Sequence, residues 1–308
     1  MAKLALILVN VGSPDSFEKS EAKAFIGNMV SDRHIVNKPY FARKFAAFFA
    51  ANFGAGNFAK RLAECAVNSR SALRHYTTAF RAKISDRLSM QVLSAYLYTG
   101  PSIDSAVQYA RKKGATEFMF LPLFPQYCWA TTQAARAKIE AVMSKYKRQW
   151  CITDPYCSED FYINALCKSA ENAVKNCKTL LALYHSVPNN IPELKRYALE
   201  CEKTSALMAK TLGCQVLTAY ISARGNEKNW LSPSGAKTVG NLAKSGKKNL
   251  AVICPGFAMD CTETLLDVKR DLRKVFIENG GKHFEYVPCL NDSNLQSDVV
   301  EAIFCKYE

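Results

Sequence analysis

The sequence predicts an α/β protein built as two similar lobes, each a four-stranded parallel sheet flanked by helices. Three observations carry this. Short apolar, β-branched runs alternate with amphipathic helical stretches, the pattern of strands joined by crossover helices. Four such runs fall in each half of the chain. The segments that leave the strands also correspond: VNVGSP answers YHSVP, AYLYTGPS answers AYISARGN, and LPLFPQY answers ICPGFAMD. The plan is Rossmann-like, and in such sheets ligands gather beyond the carboxyl ends of the strands.

The first lobe is expected over residues 1–155, with strands at Lys3–Val9, Met90–Tyr96, Glu117–Leu123 and Trp150–Thr153. The first of these runs into Asn10-Val11-Gly12-Ser13-Pro14, residues that stop a strand. Residues 38–61, KPYFARKFAAFFAANFGAGNFAKR, interrupt the alternation with a helix that carries Phe41, Phe45, Phe48 and Phe49 on one face. Arg43, Lys44, Lys60 and Arg61 lie nearby. That face reads either as core or as an aromatic lip over an apolar ligand or on lipid headgroups. The second lobe is expected over 156–308, with strands at Thr179–Tyr184, Gln215–Ile221, Asn249–Cys254 and Phe284–Val287. Its last helix is expected to pack back on the first lobe.

Composition narrows the class. At 49% hydrophobic and 22% charged residues the chain is globular and able to bury a large core. No apolar run approaches the roughly 20 residues of a membrane-spanning helix. The opening MAKLALILVNVGSP makes a poor signal peptide, so a cytoplasmic protein is expected. None of the twelve cysteines forms a Cys-x-x-Cys pair, which favours reduced, mostly buried thiols over a zinc ribbon or iron–sulfur framework. The net charge of +14 comes from scattered lysines and arginines without a basic tail or aromatic-basic motif. Nucleic acid is therefore not an expected partner; an anionic membrane surface, a carboxylate-bearing ligand or a plain solvated surface all fit.

Two features carry chemistry. The run Leu180–Tyr184 stops at His185, a histidine at a strand exit that reads as a working group or as a satisfied core residue. After Asn249–Cys254 comes PGFAMDCTETLLDVKRDLRKVF, in which Asp260 reads as a helix cap with Glu263 completing a capping-box-like pair. Asp260, Glu263, Asp267 and Asp271 recur at spacings of three, four and four, which α-helical geometry stacks as a carboxylate ladder. The ladder starts at a strand exit like that of His185, so function outweighs a solvated acidic stripe. Imidazole with carboxylate suits a divalent first-row metal such as Fe2+, and the same groups accept protons near neutral pH.

These residues also carry a family resemblance that runs essentially end to end. VNVGSP at Val9–Pro14, SDRHIV at Ser31–Val36, YTGPSIDSAV at Tyr98–Val107 and LPLFPQYCWATT at Leu121–Thr132 follow in order. YHSVP, WLSP at Trp230–Pro233, CPGFAMDCTETL at Cys254–Leu265 and GGKHFEYVPCLN at Gly280–Asn291 complete the series. Together they resemble the bacterial-type ferrochelatases, which insert Fe2+ into a porphyrin at the end of haem synthesis; CPGFxxDCxETL is the most specific segment. The resemblance implies a chelatase-like fold and insertion of Fe2+ into protoporphyrin IX or a related porphyrin, with release of two protons.

It also implies roles. His185 falls on the family's active-site histidine and Glu263 on the opposing carboxylate, each implied to take pyrrole protons or ligate the metal. Asp260 falls on an aspartate that supports the histidine side, and Asp267 and Asp271 on an acidic path. Tyr127, Ser222, Trp230 and Phe257 match positions lining the porphyrin pocket; Tyr98 matches a tyrosine near the opposite wall and Val11 a residue of the metal-side loop. Fe2+ is then a substrate, with no prosthetic group and no iron–sulfur cluster expected, and lipid contact would be peripheral, at the inner membrane surface. Oligomeric state is unreadable.

The chain departs from the family pattern at several positions. Ser186 stands for a glycine, Leu97 for an arginine, Gln133 for a glycine after Thr-Thr, and Asn68–Leu73 for a GSPL segment. The stretch 221–230 carries one extra residue before Trp230, with Arg224 in reach of the role of the lost guanidinium only if the loop rearranges. A porphyrin- or haem-binding protein impaired in chelation is therefore the alternative. A related cobalt chelatase is a more distant third.

Overall fold

In the computed structural model, which describes residues 3–308, the chain opens with β1 (Leu4–Asn10), α1 (Lys19–Ser31) and α2 (Tyr40–Glu64). A hairpin of β2 (Ala66–Val67) and β3 (Arg70–Ser71) leads into α3 (Ala72–Arg87), β4 (Gln91–Tyr96), α4 (Ile103–Lys112) and β5 (Glu117–Pro122). A π-helical turn at Trp129–Gln133 precedes α5 (Ala134–Met143) and β6 (Gln149–Ile152). The four longer strands form one parallel sheet in the order β4-β1-β5-β6. Leu6, Ile7 and Val9 are fully buried in β1, as a central strand covered on both faces requires.

The second half continues with α6 (Asp160–Cys177), β7 (Thr179–His185), α7 (Leu194–Leu212), β8 (Gln215–Ile221), α8 (Gly235–Lys244) and β9 (Asn249–Ile253). A π-helical segment, Glu263–Leu272, passes into α9 (Arg273–Glu278), then β10 (His283–Tyr286) and α10 (Asn294–Tyr307). These strands also form a parallel sheet, β10-β9-β7-β8. Both sheets therefore follow the same rule: the second strand lies on one side of the first, and the third and fourth lie on the other. In such a sheet the strand order reverses between the first and third strands, which is where a crevice opens for ligands. Each third strand also runs on into a π-helical turn, a further sign of one plan used twice.

The chain divides into two compact units. One comprises the residues through Pro155 together with Val300–Glu308, and the other comprises Tyr156–Val299. Within the first unit, the end of α10 is held by the Arg87–Glu301 ion pair and by Tyr307, whose hydroxyl accepts the Asp154 N–H at 2.7 Å. Strand limits differ from the sequence expectation by a residue at several ends; β7 runs on through His185 because that residue still pairs with Ile221.

Two features that the sequence left open are resolved. The face of α2 that could have been core is exposed: Phe41 is 84% and Phe45 68% accessible. The buried face is instead a stripe of Ala47, Ala51, Ala55 and Ala59, whose small side chains let α2 lie close against Ala22 of α1. The replaced GSPL segment forms the β2–β3 hairpin, with Asn68 and Ser69 both at positive φ in its two-residue loop. That conformation fits a type I′ turn, which asparagine tolerates.

Candidate active site

In the second unit the exits of β7 and β9 flank the switch point, and the exit of β8 lies beside that of β7. His185 ends β7, Ser222 follows β8, and the segment Cys254–Glu263 follows β9. The His185 ring is half-buried, and its Nδ1 lies 2.5 Å from the Ser186 carbonyl oxygen. A carbonyl only accepts, so Nδ1 carries a proton, and in the neutral form of the ring the lone pair is the one on Nε2. Tyr197 fixes the backbone here by donating its hydroxyl to the His185 carbonyl at 2.8 Å.

The Ser186 departure is absorbed locally. Its φ is not positive, so the turn does not need glycine. Its N–H donates to Ile221 O at 2.7 Å and its hydroxyl to Leu231 O at 2.8 Å. With Leu231 N–H donating to Val187 O and Asn189 N–H to Asn229 O, both at 2.9 Å, the β7 exit is laced to the loop that carries Trp230. Trp230 itself is half-buried and bridges Pro188.

Asp260 is not the helix cap that the sequence suggested. It is 2% exposed and precedes the helical segment, whose N-cap is Thr262 without a side-chain capping bond. Its carboxylate is instead the centre of a buried network. Thr264 Oγ1 donates to Oδ1 at 2.9 Å, Asn291 Nδ2 to Oδ2 at 2.7 Å, and the Tyr286 hydroxyl makes a short bond to Oδ1. The Asp260 N–H in turn donates to Asn291 Oδ1 at 2.7 Å. Burial, neighbouring thiols and the Asp260 charge push the Tyr286 phenol well above its usual range, so it stays a donor. A buried carboxylate persists only when donors surround it in this way.

The four-rung ladder is correspondingly reduced to three. Glu263, Asp267 and Asp271 belong to the π-helical segment, where i→i+5 bonding widens the turn but a spacing of four still keeps side chains on one side. All three are half-buried, while Lys269 and Arg270 beside them are exposed. Glu263 accepts the Thr262 hydroxyl at 3.2 Å and Asp267 accepts the Ser222 hydroxyl at 3.2 Å. Asp271 pairs with Arg270 at 2.7 Å. Ser222 holds φ at +66°, a left-handed conformation that aims the β8 exit at this helix. Phe257 packs at the edge of the second unit's core. Among the described residues, no hydrogen bond or ion pair joins His185 to Glu263, so neither group is spent on the other.

In the first unit the residues that the sequence singled out are mostly interior. Val11 packs on the core, and its N–H bonds to Asn10 Oδ1 at 2.7 Å. Gly12 takes φ +97°, and a Cβ there would meet Thr99 Cγ2 at 2.5 Å, which is why VNVGSP needs its glycine. Tyr127 is 8% exposed and its hydroxyl reaches Gln133 Oε1 at 3.5 Å, giving the second departure a partner. Tyr98 is 2% exposed and donates to Asp32 Oδ2 at 3.2 Å.

Sequence reasoning missed the ionic cluster around Asp32. His34 Nδ1 lies 2.8 Å from Asp32 Oδ1, and Lys138 Nζ lies 3.1 Å from Oδ2 and 2.8 Å from Leu97 O. Burial pushes the Asp32 carboxyl up, but the His34 bonds and the Lys138 charge outweigh it and hold it below the usual range. A cation thus sits on the Leu97 backbone although the side chain there is aliphatic. Arg74, 6% exposed, likewise ties the exits of β1 and β4: it donates to Ser13 O at 2.7 Å and to Gly100 O at 2.5 Å. An open cleft of about 610 Å3 beside them is lined by first-unit residues only, among them Leu97, Tyr98 and Lys138. SDRHIV held the clue to Asp32; nothing local marks Lys138 or Arg74.

Comparison with known proteins gives this arrangement its relatives. The family model for ferrochelatase matches residues 3–307. The ferrochelatase of Yersinia enterocolitica is 30% identical over 98% of this chain and 97% of its own length. That of Bradyrhizobium sp. is 32% identical over 95% of this chain and 88% of its own. Among solved structures, SirB from Bacillus subtilis with Fe3+ superposes with a TM-score of 0.62 at 13% identity, covering 98% of this chain and 95% of that one. CbiX, the terminal enzyme for biosynthesis of siroheme in denitrifying bacteria, gives 0.51 at 11% identity over 98% of each chain. At such identities the structural likeness speaks for the fold alone, whereas the sequence matches speak for descent. This chain belongs to the ferrochelatase family.

Proposed function

We propose that this chain inserts Fe2+ into a porphyrin with His185 as proton acceptor or metal ligand and Glu263 as the carboxylate that shares that work. The reaction exchanges one divalent cation for two pyrrole protons, so the ring stays neutral while both protons must leave. The observation that carries this reading is the contact of His185 Nδ1 with Ser186 O: with Nδ1–H held there, the neutral ring offers the lone pair of Nε2 to substrate. Asp260, engaged by Thr264, Tyr286 and Asn291, positions the Cys261–Glu263 turn. Asp267 and Asp271 extend the carboxylate side away from Glu263 as a relay for protons or metal. Phe257, Trp230 and Ser222 at the exits of β9 and β8 are the proposed porphyrin contacts of this unit. Val11, Tyr98 and Tyr127 act chiefly by holding the first unit's exit loops, since Tyr98 and Tyr127 are largely buried.

A flat porphyrin directs its lone pairs and N–H groups into the ring plane. A site that favours a saddled ring turns them towards the faces, and burial of the large apolar macrocycle offsets the distortion. Protoporphyrin IX is the substrate proposed. A non-catalytic binder is less favoured, because Ser186 and Gln133 both find partners and the Leu97 side chain is a core residue, 8% exposed. The test is an anaerobic incubation of the protein with protoporphyrin and Fe2+ or Zn2+, followed through loss of the metal-free spectrum. Multiple turnovers support the enzyme; a spectral shift without metalation refutes it.

The α2 face supports a peripheral lipid contact. Tyr40, Phe41, Phe45, Phe48 and Phe53 are all more than half exposed, and Arg43 and Lys44 lie within 6 Å of the Tyr40 ring. Aromatic rings beside basic side chains match an anionic headgroup layer. No helix among the described residues is long and apolar enough to cross a membrane.

A further inference from the structure

At the opposite end of the second unit's sheet from His185, three potential metal ligands come together. Cys177 is the last residue of α6, and His283 and Glu285 stand two apart on the edge strand β10, so they point to the same face. One donor atom from each, a thiol, an imidazole nitrogen and a carboxylate oxygen, lies within 4.8 Å of the other two, the one such group of three among the described residues. We propose that Cys177, His283 and Glu285 form a second metal site, separate from the chelatase centre, that takes a divalent ion of zinc-like chemistry with a water in the fourth position.

The geometry supports this. Tetrahedral coordination with bonds of about 2.0–2.1 Å separates a nitrogen and an oxygen ligand by roughly 3.3 Å. His283 Nε2 and Glu285 Oε2 are already 3.2 Å apart. The sulfur needs to stand about 3.6 Å from each, given a zinc–sulfur bond of roughly 2.3 Å, and the three donor atoms already lie within 4.8 Å of one another. The scaffold is fixed: Asn249 Nδ2 reaches Asn176 O at 3.4 Å, tying the end of α6 to the start of β9. The N–H groups of Lys282 and His283 both donate to Lys248 O, at 2.8 and 2.9 Å, which anchors the start of β10 to the same point. Neighbouring ammonium groups are engaged elsewhere, Lys248 Nζ with Gly280 O and Lys247 Nζ with Thr179 Oγ1. One thiolate, one imidazole and one carboxylate favour zinc, cobalt or iron over magnesium or calcium. Cys177 is buried while His283 is exposed, so an ion enters from the solvent side and leaves an open position there.

The test is titration of the porphyrin-free protein with Co2+ alone. A near-ultraviolet thiolate-to-cobalt charge-transfer band distinguishes this site from His185 and Glu263, which offer no sulfur. The expected result is a band saturating at one equivalent, lost in Cys177→Ser and weakened at least tenfold in affinity in His283→Ala, since losing even a supporting partner costs roughly 10–100-fold. Far-ultraviolet circular dichroism of both variants should match the parent, and His283→Ala, being exposed, serves if Cys177→Ser fails to fold. Absence of the band, or a band unchanged by both substitutions, overturns the site. Porphyrin metalation by His283→Ala should stay near the parent rate.

Discussion

Asn291→Ala tests the claim that Asp260 is a buried anchor and not a helix cap. Asn291 holds Asp260 twice, accepting its N–H and donating to its carboxylate, each at 2.7 Å. Removing a neutral bond costs roughly 0.5–1.5 kcal/mol and one to a charged acceptor roughly 1.5–3 kcal/mol, so loss of the two bonds alone should cost about 2–4.5 kcal/mol. In a domain of roughly 150 residues that is a fall in Tm of at least about 4 °C. Asn291 also sits at φ +50°, where alanine adds a backbone cost of about 1–2 kcal/mol that glycine avoids. Asn291→Gly isolates the hydrogen bonds from that term. Urea unfolding followed by circular dichroism gives both differences. If Asn291→Gly unfolds within about 0.5 kcal/mol of the parent, the bonds to Asp260 contribute nothing and the anchoring argument fails.

Three further expectations follow from named contacts. Ser186→Gly removes the hydroxyl bond to Leu231 O and should cost about 1 kcal/mol in urea unfolding while leaving porphyrin metalation near the parent rate; a large loss of metalation would mean that the serine takes part in catalysis. Phe41→Ser with Phe45→Ser should weaken co-sedimentation with anionic vesicles more than tenfold, because each buried ring is worth about 1.5 kcal/mol or more; unchanged sedimentation would remove α2 from the interface. Asp32 has a depressed folded-state pKa, so its stabilisation is full above the unfolded value of about 3.9 and is lost as pH falls through the folded value. The stability gap between the parent and Asp32→Asn should therefore shrink below about pH 4, and a gap constant from pH 6 to pH 2 would contradict the ion-pair assignment.

What the sequence disclosed followed from burial. Runs such as Leu4–Val9 and Leu180–Tyr184 are continuous because their strands are covered on both faces, so the eight long strands and their repeat were legible. His185 stood out as a candidate because it ends such a run, and Glu263 because of the acidic spacing that follows β9. The π-helical segment was not, since i→i+5 bonding leaves no spacing signature, and Asp260 therefore looked like an N-cap. The exposed rings of α2 were ambiguous because aromatic residues normally go inside; the alanine stripe behind them was the better clue. Lys138 meets the local Asp32–His34 pair only through tertiary folding, as Cys177 meets His283, and no local pattern announces either meeting.

The most direct measurement is single-turnover metalation of protoporphyrin under anaerobic conditions by the parent, His185→Ala, Glu263→Gln and the double variant. If the imidazole and the carboxylate form one proton- and metal-handling unit, each single change slows insertion by about 10²–10⁴, and the double variant is scarcely slower than the worse single one. Insertion by His185→Ala at the parent rate would contradict the assignment outright.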